Sequence, residues 1–306
     1  MDLVQDGTLI EREELLAVPS LAARTWAWAI TAPPVVGPSS LRAAVSVVSD
    51  DDRWMPGEFF MDGYRRMREA VHSSAQGGPP VVPSAGKKKH GLHFEDLLAQ
   101  WFSHDPEIEL LARDLPVEDG GSTVGQIDFL LQWRDLVYHL EVAVKFYLRF
   151  GGPQAMDGYV GSDLRDRMDR KVAHMLWHQR EITLSRAGRA TLLERGLPLP
   201  DRRVVSVRGL LFEPITVGDT IPRYWWAPVE LWRDHPGFQD LWWTKVLPSQ
   251  WMAPLREDEA TWEDHRRFDA RECDDGRRRP VLVAGLGEEA GARREVTRGF
   301  IAPRRF

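Results

Sequence analysis

The spacing of apolar and polar positions changes several times along the chain, and each change marks an element. Residues 91–103, GLHFEDLLAQWFS, place Phe94, Leu97, Leu98, Trp101 and Phe102 on one face of a helix. Residues 126–133, QIDFLLQW, are nearly all apolar and carry one acid, Asp128, the pattern of a buried strand. Arg134-Asp135 reads as a turn. Residues 137–150, VYHLEVAVKFYLRF, are β-branched and aromatic and predict a second strand, ended by Gly151-Gly152-Pro153. Asp119-Gly120-Gly121 is a turn upstream of this pair. Residues 162–186 read as helical, with Met168, Val172, Met175, Leu176 and Ile182 near helical spacing, and residues 204–212 as a strand. Residues 280–286 and 296–302 predict a closing strand pair. Residues 1–48 read as helical, with 21–30 stopped by Pro33-Pro34. Residues 73–90, SSAQGGPPVVPSAGKKKH, predict a mobile loop. Helix, strand, strand, helix, strand and a final strand pair amount to a mixed α/β core with helical decoration.

With 306 residues the chain can bury a core without covalent cross-links. Its 46 acids outnumber 40 Lys and Arg, a formal charge of −6, which excludes a histone-like polycation. A nucleic-acid contact must therefore come from a local basic patch. Residues 266–306 reverse the sign, with 11 arginines against 7 acids. The single cysteine, Cys273, excludes a disulfide framework and a cysteine-based zinc site, and points to a reducing compartment. The first residues, MDLVQDGTLIEREELL, are acidic and polar, unlike a signal peptide, and no run reaches about 18 consecutive apolar residues. A cytoplasmic chain with no membrane partner is the expectation. Thirteen Trp against five Tyr is an unusual ratio. The cluster at Trp225, Trp226, Trp232, Trp242, Trp243 and Trp251 is expected to fill core, with one or two rings exposed.

Chemistry concentrates on the second strand. Alternation puts His139, Glu141, Ala143, Lys145 and Tyr147 on one face, and Leu140, Val142, Val144, Phe146 and Leu148 on the other, which must face the core. Charges on a strand so apolar cost several kcal/mol unless paired or bound, of order ~3–5 kcal/mol for a lone partner. If the two strands form a hairpin, Asp128 lies beside Glu141, and two carboxylates in contact call for a cation. Such a pair can hold Mg²⁺ or Mn²⁺, with a lysine orienting water or neutralising developing charge. Glu95 supplies a third acid from the preceding helix. Zinc is disfavoured, since His93-x-Glu95 has no cysteine pair and H-E-x-x-H is absent. The VAVK segment lacks the other kinase motifs, and Gly86-Lys87 is no phosphate loop. Lys171, His174 and Gln179 lie on approximately one helical face, placed to approach a phosphate backbone.

The set Glu95, Asp128, Glu141 and Lys145 resembles the PD-(D/E)XK nuclease superfamily, whose core runs α-β-β-β-α-β. The chain also resembles the bacterial domain of unknown function family 1853, associated with that superfamily. The markers are WAWAITAPPVVG, GSTVGQIDFLL, HLEVAVKFYL, LRDRMDRKVAHMLWHQ, RGLLFEP, RPVLVAGL and TRGFIAP. The resemblance implies a restriction-endonuclease-like mixed sheet flanked by helices, with added N- and C-terminal elements. It implies one domain over 1–306: a helical extension (1–72), the loop 73–90, a catalytic core (91–215), and a Trp-rich and strand-pair part (216–306). It implies a metal-dependent nuclease hydrolysing DNA, with Asp128, Glu141 and Glu95 on Mg²⁺ or Mn²⁺ and Lys145 beside them. Single-stranded DNA or RNA are further substrate forms, and a homodimer is compatible. Exonuclease-type members carry a functional glutamine where Gln179 stands. One departure is plain. The superfamily spaces acid and lysine as E-x-K, but Glu141 and Lys145 are four apart, roughly 13 Å along a strand, and Ala143 holds the usual acid position. Either the lysine or the acid has moved, with Gln126, on the face of Asp128, or Glu95 completing the set. The competing expectation is a nuclease-fold module that binds nucleic acid or a partner without chemistry.

Overall fold

A computed structural model describes residues 12–36, 53–72, 89–151, 156–218, 220–268, 279–289 and 291–303. Among the described residues before 89 there are three α-helices: α1 (Arg12–Ala17), α2 (Leu21–Thr31) and α3 (Gly57–His72). The helical stretch expected over 1–48 is therefore interrupted. Ser20 caps α2 by accepting from Ala23 N at 3.2 Å, and beyond Pro33 the chain extends, with Pro34 bridging Arg208. Residues 1–11 and 37–48 lie outside the described residues, as do 73–88 of the expected mobile loop.

The apolar face read at 91–103 forms α4 (His90–His104). Then come β1 (Ile108–Asp119), β2 (Ser122–Trp133), β3 (Leu136–Arg149) and β4 (Tyr159–Gly161). The single helix expected over 162–186 is replaced by a broken path. It runs through α5 (Met168–His174), a π-helical turn (Met175–Gln179), a 3₁₀ turn (Ile182–Leu184) and α6 (Arg186–Glu194). The remainder is β5 (Arg202–Pro214), β6 (Tyr224–Pro228), α7 (Val229–Asp234), β7 (Trp242–Lys245), β8 (Glu263–Asp264), β9 (Val281–Glu289) and β10 (Ala292–Ala302). The closing pair is the antiparallel β9–β10 hairpin. No helix among the described residues is long and apolar enough to cross a membrane.

Ten strands form one mixed sheet in the order β1-β2-β3-β5-β6-β10-β9-β7-β8, with β4 on β3. β1, β2 and β3 pair antiparallel through tight turns. β3 and β5 pair parallel, which requires the crossover that α5 and α6 supply. β1 escapes the period-2 reading because it is an edge strand. It carries Pro116 and two register irregularities, which an edge tolerates and a central strand does not. β6, β7 and β8 are too short to show a period.

Leu140, Val142, Val144, Phe146 and Leu148 enter the main core with Trp26 and Trp28 of α2, Phe59 of α3 and Phe94 and Trp101 of α4. On the opposite face, Ala143 and Tyr147 pack with Met168, Val172, Met175 and Leu176. The sheet is thus covered by helices on both sides of β3. Trp225, Trp232 and Trp243 fill a further core, with Trp225 Nε1 donating to Thr297 Oγ1 at 2.8 Å, whereas the ring of Trp242 is exposed.

Buried arginines tie the C-terminal part to this frame. Arg298 donates to the carbonyls of Trp251 and Ala253 at 2.8 Å, and Arg24 to that of Pro254 at 2.8 Å. The segment so held presents Trp251 to Phe146 and His90, at the mouth of a cleft described below. Within the sheet, Gly209 of β5 lies opposite Lys145, at φ +146°, and a Cβ there would meet Lys145 O at 1.7 Å. Only glycine fits that approach. Gly209→Ala should cost about 2–3 kcal/mol. The measurement is the urea midpoint with the slope held constant, and an unchanged midpoint would mean that β3 and β5 are not so close.

Candidate functional site

The antiparallel ladder between β2 and β3 ends at the pair Phe129–Leu140. Its next rung would join Asp128 and Glu141, and the two side chains take the place of the backbone bonds. Asp128 N donates to Glu141 Oε1 at 3.2 Å, and Val142 N donates to Asp128 Oδ2 at 3.0 Å. Each carboxylate therefore satisfies the N–H that the parting strand leaves without a partner. Beyond this fork β3 stays paired with β5, and the edge that β2 leaves is taken up again by β4, from Tyr147 onward. The stretch between, Val142–Phe146, lines a cleft of about 760 Å³, with Glu95, Lys145, Asp166, Lys171 and Trp251 on its walls.

Glu141 is wholly buried. His139 Nε2 lies 2.8 Å from its Oε1, and Gln179 Nε2 donates to its Oε2 at 2.8 Å. Burial pushes the Glu141 carboxyl up to about 7, against the lowering effect of the Asp128 hydrogen bonds. Burial, then the charge of Glu141, pushes Asp128 up to about 7 as well. Two interacting acids raised to the same range titrate as a pair rather than as independent groups. Glu95 is raised to about 7 by burial first and then by Asp128 and Asp114, which places it within the field of the pair. Burial holds His139 down to about 4, so its imidazole is neutral, with Nδ1 3.3 Å from Thr183 Oγ1.

The other expected residues divide. Lys145 points along the cleft to Asp166 Oδ2 at 2.5 Å, and Tyr147 OH donates to Asp166 Oδ1 at 3.1 Å. Lys171 donates to Gln179 Oε1 at 2.9 Å and so reaches Glu141 through one amide. Burial and Lys145 lower its pKa, while Asp128 and Glu141 raise it. Gln126 donates instead to Asp114 Oδ1 at 3.0 Å, across the β1–β2 pair. His174 stacks on His178 at 4.9 Å on the exposed side, and it is Lys171 that meets Gln179. The π turn carries Trp177 outward, 53 % exposed, beneath the guanidinium of Arg53 at 4.8 Å.

The sequence reading missed three participants. His139 was legible two residues before Glu141 on the same face. Thr183 and Asp166 carry no signal, since each reaches the site through an irregular segment.

The family model described as Domain of unknown function (DUF1853) matches residues 24–302. The chain belongs to that family. Comparison with curated proteins and with solved structures returned no match. The matched DUF1853 span contains the fork, the cleft and every residue just described.

Among the described residues no group of three or more His, Cys, Asp or Glu is arranged to hold a metal ion. The oxygen donors that meet are two, Asp128 and Glu141. That set suits a hard cation such as Mg²⁺, which takes one or two carboxylates and completes its shell with water and substrate oxygens.

The raised carboxyls dictate a pH dependence. A group whose folded pKa lies above its unfolded value stabilises the fold while protonated and loses that contribution as pH rises through the folded value. His139 acts in the opposite sense, but only below its unfolded value of about 6.5. In metal-free buffer, Tm should therefore fall between about pH 6.5 and about pH 8. The fall should be smaller in Asp128→Asn, which removes one acid and relieves the other. A wild-type Tm that is flat or rising over this window would contradict the buried acid pair.

Proposed function

We propose that this chain is a metal-dependent nuclease that hydrolyses DNA phosphodiesters at the fork between β2 and β3. The observation that carries the reading is the buried Asp128–Glu141 pair, set where the strands part, next to Val142 and Ala143 on the wall of a cleft bordered by lysines. The order α4, β1, β2, β3, β4, α5, α6, β5 supports it, since without the three-residue β4 and the second crossover helix α6 it is the α-β-β-β-α-β order that the superfamily resemblance implies. Mg²⁺ or Mn²⁺, bound, would supply Lewis-acid stabilisation of the phosphoryl oxygens and a more acidic water.

Asp128 and Glu141 would hold that ion. Gln179 and His139 keep Glu141 in one orientation, so the donor oxygens are in place before substrate arrives. Glu95, which titrates near neutrality, is suited to accept a proton from the attacking water. The water oxygen forms the new bond to phosphorus, and the bond to the leaving sugar oxygen breaks as that oxygen takes up a proton. Lys171 brings positive charge to the phosphate side of the cleft. The exposed ring of Trp177 offers a stacking face to an unpaired base, so single-stranded DNA or RNA belongs in the test.

A second reading, a binding module without chemistry, rests on one observation: both oxygens of Glu141 already accept from protein groups. One experiment separates the two. Linear duplex, circular duplex, single-stranded DNA and RNA are incubated with Mg²⁺, Mn²⁺ or EDTA, with Asp128→Asn and Glu141→Gln run beside wild type. Cutting should require the metal and fall about 100-fold or more in either variant. Mn²⁺ should also raise the Tm of wild type and leave that of Asp128→Asn unmoved. Uncut substrates together with retained nucleic-acid binding would establish the binding module.

A further inference from the structure

We propose that Lys171, carried by α5 and held by Gln179 against Glu141, is the lysine that serves the acid pair, in place of Lys145 on the strand. The inference rests on the nuclease reading of the same site, and it assigns the place of the motif lysine to a different element.

Two contacts separate the lysines. The ammonium of Lys145 is matched by a carboxylate, Asp166, at 2.5 Å. Asp166 is itself fixed, since its other oxygen accepts from Tyr147 and its carbonyl from Gly161 N at 2.8 Å. An ammonium so matched has little charge left to offer a phosphate, and it lies four residues along the strand from Glu141. Lys171 hydrogen bonds a neutral amide. That contact does not offset its charge, and the amide passes the contact directly to Glu141 Oε2.

The backbone shows how the helix reaches the strand. Between Met175 and Gln179 the helix widens to an i+5 bond, Arg180 N to Met175 O at 2.9 Å. The widened turn lets Gln179 lie against Lys171, eight residues earlier, while facing β3. Such π turns occur mostly where a helix must present a side chain out of phase. Lys171 is thus a positioning and charge-supplying residue whose effect on the metal passes through Glu141.

The test uses the full chain and Mn²⁺ alone as probe, with cleavage as the second readout. Binding of Mn²⁺ is measured by calorimetry for wild type, Lys171→Met, Lys171→Arg and Lys145→Met, each checked by far-UV circular dichroism. Removing a positive charge that lies beside the acids should tighten Mn²⁺ binding about tenfold in Lys171→Met. Lys171→Arg keeps the charge and should restore the wild-type affinity, and Lys145→Met should shift it less than about twofold. A residue that only held the fold would loosen Mn²⁺ rather than tighten it. Cleavage should fall about 100-fold or more in Lys171→Met and less than about tenfold in Lys145→Met. Equal tightening in both methionine variants, or a larger cleavage loss in Lys145→Met, would overturn the assignment. A wild type that binds Mn²⁺ yet cuts nothing would end the nuclease reading, and the Mn²⁺ comparison would still decide between the lysines. Absence of Mn²⁺ binding by wild type would overturn both.

Discussion

Two carboxylates are buried side by side at the rung where β2 parts from β3, and most of the surrounding structure answers to that constraint. Burying one ion costs several kcal/mol, of order ~3–5 for an ion whose partner is removed, and burying two of like sign adds their repulsion. The fork reduces the cost in two ways. Each acid accepts a backbone N–H that the diverging strand would otherwise leave unmade, and burial raises both carboxyls to about 7, which favours their neutral forms. His139 lies against the same Glu141 oxygen that accepts from Asp128, and Gln179 donates to the other. On the nuclease reading, a divalent cation would supply at the same oxygens the positive charge that such a pair calls for.

Holding the fork open places demands on both neighbours of β3. On one side β5 must stay close along the whole of β3, which is why Gly209 stands where a Cβ would strike Lys145 O. Over the fork, α5 must send a side chain to Glu141, and the π turn at Met175–Gln179 accomplishes this at the cost of a regular helix. Farther off, Arg24 and Arg298 fix the carbonyls of the segment that carries Trp251, so a C-terminal segment closes one wall of a cleft whose floor is β3. Local strain, a distorted helix and two buried cations thus converge on one edge of one strand.

The acid pair was legible in the sequence because it depends only on period-2 alternation and on the hairpin between two apolar runs. Alternation also assigned the core face of β3 correctly, residue by residue from Leu140 to Leu148. β1 was not legible, since an edge strand with a proline carries no period. The division between the lysines was hidden for another reason. Lys145 sits at the strand position where a motif lysine is expected, and nothing in its neighbours along the chain reveals that Asp166, 21 residues away, takes up its charge. Lys171, His174 and Gln179 read as one helical face under a 3.6-residue period, and the π turn breaks that period between the second and third. A restriction-endonuclease-like fold, by contrast, rests on the resemblance and on element order.

The charge balance bears on how a polyanion would reach this cleft. The chain carries −6 overall, so no long-range field draws nucleic acid toward it. Within the cleft, Lys145 is matched by Asp166, and Lys171 faces two acids that ionise as pH rises. Those two lysines therefore offer a phosphate little net attraction in the metal-free cleft, which Lys89 and Arg279 also line. A divalent cation on Asp128 and Glu141 would reverse the sign where the scissile group must lie, leaving the charge of Lys171 uncommitted. On the nuclease reading, metal and substrate binding are then linked by electrostatics alone. Each favours the other through the same two carboxylates, and the acidic surface becomes a means of excluding nucleic acid from an unloaded site.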